Sequence, residues 1–103
     1  MVFQPHRYSR TAEYFSQFVD TLKNVQDLIL MEIYAANERE IENISSSALV
    51  EEIRKYGVNV VLINNHKKLK NFISQTIKNN DILLTMGAGD ISKFNNYFKE
   101  SIK

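Results

Sequence analysis

The sequence predicts a three-layer α/β domain: a mainly parallel sheet with helices on both faces, Rossmann-like in layout. Three observations carry this expectation. Short apolar runs stand at 27–33 (DLILMEI), 58–63 (VNVVLI) and 81–86 (DILLTM), apolar at consecutive positions as in strands buried on both faces. Segments with apolar spacings of three and four, the helical period, alternate with those runs. No repeat or low-complexity linker interrupts the 103 residues, so they read as one domain, 1–103.

Each element has its own signal. Val2 and Phe3 read as the tail of a first strand whose beginning lies outside the chain. Phe15, Phe18, Leu22 and Val25 make one helical stripe. Leu49, Ile53 and Tyr56 make another, in a segment that opens on serines suited to N-capping and closes on Gly57. Leu69, Phe72, Ile73 and Ile77 mark a third helix, ended by Asn79 and Asn80. Ile91, Phe94, Phe98 and Ile102 mark a fourth, with Asp90 as its cap. The order β-α-β-α-β-α-β-α implies right-handed crossovers between parallel strands.

Composition narrows the function classes. Thirteen basic and twelve acidic side chains leave a net charge of +1, so no global field recruits nucleic acid or an anionic membrane. Without cysteine the chain has neither disulfides nor thiolate metal sites, which suits a reducing compartment. The apolar runs are too short to span a bilayer, and the first residues lack a signal-peptide layout. A cytoplasmic location is the expectation.

Ligands of parallel α/β sheets collect at the carboxyl ends of the strands. Three loops there are chemically rich: QPHRYSRT (4–11), YAANERE (34–40) and GAGD (87–90). In the first, His6, Arg7 and Arg10 gather at the mouth of a helix. Arginine forks suit carboxylates and phosphates, and cations at a helix N-terminus are unfavourable until an anion arrives. The plain alternative pairs Arg7 or Arg10 with Glu13 or Glu32 as a surface ion pair worth under ~1 kcal/mol. In the second loop Tyr34 and Glu38 are either contributors to the site or simply solvated. In the third, Gly87 and Gly89 allow positive φ and close backbone approach, with Asp90 opening the helix. A tight strand-to-helix turn explains the same glycines, because the dinucleotide fingerprint fails at Ser92. The sequence contains no GxxxxGK[ST] phosphate loop, and His6 and His66 stand too far apart to argue for a metal site.

Taken in order, VFQPHRYSRT, EIYAANE and LLTMGAGDI resemble the C-terminal domain of the Mur ligases, and among these the alanine-adding members. The resemblance spans nearly the whole chain. It implies one part of a three-domain enzyme of peptidoglycan biosynthesis, whose N-terminal domain binds the UDP-sugar and whose central domain binds ATP. It further implies that ATP, with Mg²⁺, phosphorylates the carboxylate of UDP-N-acetylmuramate. The amine of L-alanine then attacks the acyl phosphate and releases phosphate. By position in the motif, His6, Arg7 and Arg10 would hold the alanine carboxylate and the acyl-phosphate oxygens. Tyr34, Glu38, Gly87, Gly89 and Asp90 are possible further contributors from the loops.

The family has glycine where this chain has Asn37, a residue that also tolerates the left-handed region. The resemblance places the upstream part of the domain and both other domains outside this chain. The fragment alone is therefore expected to carry no catalytic residue and no activity. The competing readings are a free-standing module that captures a small anion, and an inactive remnant.

Overall fold

The computed structural model describes residues 1–77 and 84–87. The first strand β1 (Val2–Gln4) is followed by two helices, α1 (Tyr8–Glu13) and α2 (Phe15–Leu22). Then come β2 (Asp27–Met31), α3 (Ser46–Arg54), β3 (Asn59–Ile63), α4 (His66–Thr76) and β4 (Thr85–Gly87). The strands form one parallel sheet in the order β3-β2-β1-β4, as the consecutive apolar runs require. The expected helix end at Asn79–Asn80, the first part of the 81–86 strand and the helix marked by Ile91, Phe94, Phe98 and Ile102 lie outside the described residues.

Alternation along each strand feeds two cores. Leu28, Leu30 and Val60 point to one face, where α2 supplies Val19 and Leu22 and α3 supplies Leu49, Val50 and Ile53. Val2, Met31 and Ile63 point to the other, beneath Leu69 and Ile73 of α4. Full burial of side chains such as Leu30, Leu49, Ile53 and Leu69 contributes roughly 1.5–3 kcal/mol each. Phe3 of β1 meets Phe18 of α2 ring to ring at 5.4 Å, tying the stripe expected at Phe15–Phe18–Leu22 to the sheet.

Strand order and helix placement have one cause. From β1 the chain steps outward to β2 and β3, then returns past both to reach β4 on the far side of β1. If every crossover has the same hand, reversing the direction of travel must move the connecting helix to the opposite face. That is where α4 packs. The reversal makes the carboxyl ends of β1 and β4 a topological switch point, with Gln4 in register with Gly87.

The sequence predicts a single helix over the stripe from Phe15 to Val25, but two helices fill that crossover and the second ends at Leu22. Tyr56 and Ile77, expected on the stripes of the next two helices, lie just beyond α3 and α4 and are exposed. The extra helix α1 reads YSRTAE and buries only Thr11, so it has no apolar stripe for periodicity to detect. Val25 lies beyond the helix, and its N–H bonds the Leu22 carbonyl in a turn. Among the described residues no helix is long and apolar enough to cross a membrane.

Three consecutive serines open α3 with three different roles. The Ser45 hydroxyl accepts the Ala48 N–H as an N-cap. Ser46 is fully buried and donates to the Met31 carbonyl, fastening the helix to the end of β2. Ser47 is exposed. Ser46→Ala should therefore cost about 1–3 kcal/mol by leaving a buried carbonyl short of a partner. Ser45→Ala should cost about 0.5–2 kcal/mol, and Ser47→Ala should stay within about 0.5 kcal/mol. Urea denaturation of the three variants checks the ranking, and equal effects would refute these roles.

Candidate functional site

Beyond its last paired residue β1 does not simply turn away. The Tyr34 N–H donates to the Pro5 carbonyl at 2.9 Å and the Arg7 N–H donates to the Tyr34 carbonyl at 2.7 Å. His6 and Tyr34 thus form an isolated parallel bridge, and their rings stack at 5.6 Å and 11°. Below them the Gln4 amide donates to the Glu32 carbonyl at 3.2 Å. These bonds zip the post-β1 turn to the loop after β2 at the carboxyl edge of the sheet.

Arg7 carries the local strain. Its backbone has φ 69° and ψ 142°, a region that side chains with a Cβ avoid at a cost of about 1–3 kcal/mol. Both of its peptide groups are held. Its N–H is fixed by Tyr34, and its carbonyl accepts both the N–H of Thr11 (3.1 Å) and that residue's buried hydroxyl (2.7 Å). Arg7 and Arg10 are both exposed, available to a ligand rather than packed.

Neither end of α1 stands as the isolated helix mouth that the sequence suggested. Arg7 occupies the N-cap position, but Arg10 lies in the last turn of this six-residue helix, where a cation is favourable. The N-terminus has no side-chain cap from Arg7 and no acid in its own first turn. Glu38 supplies both functions from the neighbouring loop. Its Oε1 accepts the Ser9 N–H at 3.0 Å and its Oε2 accepts the Ser9 hydroxyl at 2.6 Å. The Ser9 hydroxyl first, then the Ser9 and Tyr8 N–H groups and the Arg7 charge, hold the Glu38 carboxyl below its usual range. The Tyr8 phenol is pushed the other way, by burial and then by Glu40 and Glu32.

Tyr34 and Glu38 both join His6 and Arg7 at this edge. Gly87, with φ 139°, ends β4 beside Gln4, so it shares the edge. Gly89 and Asp90 lie outside the described residues. Asn37 adopts φ 70° and Ala36 φ 51°, so the turn that asparagine was expected to tolerate is present and lets Glu38 reach back to α1. Toward β3 the edge opens into a cleft of about 460 Å³ lined by Gln4, Tyr34, Asn65 and His66. Ser9 and Thr11 were missed as site residues. The available signal was a helix start with no local acid to cap it, which calls for one from elsewhere.

No family model matches the chain. Individual relatives do. The chain is 49% identical over 92 residues to the UDP-N-acetylmuramate–L-alanine ligase of Vesicomyosocius okutanii and 48% identical over 92 residues to that of Ruthia magnifica. Each match covers 88% of this chain. The ligase of Clostridium perfringens is 38% identical over 97 residues, 94% of the chain. The chain belongs to the UDP-N-acetylmuramate–L-alanine ligase family. It spans about a fifth of the length of these relatives, 20–21%. A four-stranded parallel α/β unit is thus the part of such a ligase that this chain represents.

Two outcomes follow from the site's physics. Arg7→Gly should be more stable than Arg7→Ala by about 1 kcal/mol, because glycine accepts φ 69° freely. Elsewhere glycine is the less stable of the pair by about 0.5–1 kcal/mol, and thermal denaturation returning that order would contradict the strain. The second concerns pH. A carboxyl depressed in the folded state stabilises it above the unfolded value, and loses that contribution as pH falls through the folded value. The stability gap between the parent and Glu38→Gln should be constant above the ordinary value of 4.5 and shrink below it. A gap independent of pH would show that Glu38 is not the titrating clamp.

Proposed function

We propose that this chain is the C-terminal, substrate-closing domain of a ligase that joins L-alanine to UDP-N-acetylmuramate for peptidoglycan synthesis. The reading is carried by one observation: the strained turn bearing His6, Arg7 and Arg10 lies at the switch-point edge of a chain matching these ligases over 88% of its length. In this reading the forks of Arg7 and Arg10 hold the carboxylate of alanine and the oxygens of the acyl phosphate it attacks. His6, stacked on Tyr34, sets the attitude of the turn. The alanine amine displaces phosphate from the activated carbonyl to form the amide. Neutralising the alanine carboxylate and the acyl-phosphate oxygens brings two anionic reactants together.

Neither the sequence nor the described residues supply a set of groups that would hold ATP or Mg²⁺. The sequence has no GxxxxGK[ST] loop, and among the described residues no three metal-ligating side chains cluster. We assign both mainly to the central domain of the complete enzyme, which works in the cytoplasm. Alone, this chain would not turn substrate over.

In the complete ligase, Arg7→Ala and Arg10→Ala should each lower kcat/KM for alanine by one or more orders of magnitude. That matches loss of a charge-assisted contact worth about 1.5–3 kcal/mol. Lysine at either position should restore only part, since a point charge does not replace a fork. Steady-state kinetics in alanine, alongside thermal melts, decide the matter. Variants that melt early yet keep normal kinetics when folded would make both arginines structural.

A further inference from the structure

Glu38 is held more firmly than an exposed loop carboxylate requires. A solvated loop glutamate makes no fixed contacts, yet this one accepts two hydrogen bonds from a residue 29 positions away. Its partner, Ser9, sits between the two arginines of the turn. Two consecutive positive-φ residues, Ala36 and Asn37, bend the loop so that the carboxylate arrives at α1. The backbone bend and the bidentate contact are independent features, and both serve to bring one carboxylate to one place.

We infer that Glu38 is a positioning residue: by clamping Ser9 it fixes the first turn of α1 and so sets the separation and aim of Arg7 and Arg10 toward an amino-acid carboxylate. This rests on the arginine reading above and goes beyond it, since Glu38 then touches no substrate. Arg7 occupies a backbone region that it leaves at no steric cost, so the turn relaxes unless both sides hold it. Tyr34 holds the side toward β1, and Thr11 and Ser9 hold the side toward α1. The Thr11 bonds lie within α1 itself and move with it. Among the described residues, it is Glu38, through the Ser9 hydroxyl and N–H and the Tyr8 N–H, that ties the first turn of that helix to the loop after β2. The carboxylate also offsets one of the two arginine charges, and the Ser9 hydroxyl and the Ser9 and Tyr8 N–H groups hold its carboxyl below the usual range.

The test is a set of variants in the complete ligase: Glu38→Ala, Glu38→Gln, Ser9→Ala and the Ser9→Ala/Glu38→Ala pair, with Arg7→Ala as reference. Expected is a rise of roughly tenfold in KM for alanine in Glu38→Ala, with KM for ATP and for UDP-N-acetylmuramate within twofold of the parent. Glu38→Gln, which keeps the reach and one acceptor, should show a smaller rise. The double variant should be no worse than Glu38→Ala, because the serine hydroxyl acts through the glutamate. If Glu38→Ala fails to fold, Glu38→Gln and Ser9→Ala still report, and an unchanged alanine KM in both overturns the inference. Equal losses toward all three substrates would make Glu38 merely structural and overturn it as well. An effect of Arg7→Ala without one at Glu38 leaves the arginine reading standing and removes only the clamp. Normal alanine kinetics in Arg7→Ala removes both.

Discussion

The structure turns on the pair of hydrogen bonds that Tyr34 makes across to the first strand. One runs from its N–H to the Pro5 carbonyl, the other from the Arg7 N–H to its own carbonyl. Together they carry parallel pairing beyond β1 and β2, into backbone that would otherwise separate into two loops. Everything of interest at the carboxyl edge hangs from that extension. The stacking of His6 on Tyr34, the positive φ of Arg7 and the placement of α1 each require it. Strain of this kind persists only where surrounding bonds over-determine the backbone, and it concentrates where a side chain must be shown in one direction.

The sheet provides the rigid base for this arrangement. Both faces of β2 are covered, and its register with β3 is continuous over five residue pairs from Asp27–Asn59 to Met31–Ile63. The buried Ser46 hydroxyl then fixes α3 to the last residue of β2. A loop that leaves so firm an anchor can hold Tyr34 and Glu38 in place. The order β3-β2-β1-β4 does the rest, because the chain reverses its direction of travel about β1, the strand that leads into the arginine turn.

Much of this was legible in the sequence, for identifiable reasons. Consecutive apolar runs revealed the parallel strands because both faces are buried, and the serines before Leu49 announced a cap that Ser45 supplies. Gly57 adopts the left-handed conformation expected after α3. Helix α1 was not legible. Its six residues bury a single threonine, so no hydrophobic period betrays them, and its cap comes from a carboxylate 29 residues downstream of Ser9. Contacts at that separation leave no local trace. The same reason hid the role of Glu38: the sequence showed an acid in a polar loop, whereas its significance depends on where two left-handed residues point it. The arginines were visible by residue type, but their relation to the helix was not, since Arg10 lies within α1 and Arg7 caps it.

The turn carrying Arg7 is an extension of the sheet rather than a loop. Amide hydrogen exchange of the chain tests this most directly, residue by residue. The N–H groups of Arg7 and Tyr34 should exchange slowly, with protection near that of Leu30 in the sheet core, although Arg7 is exposed to solvent. Exchange at both amides as fast as at exposed loop positions such as Arg39 would contradict it.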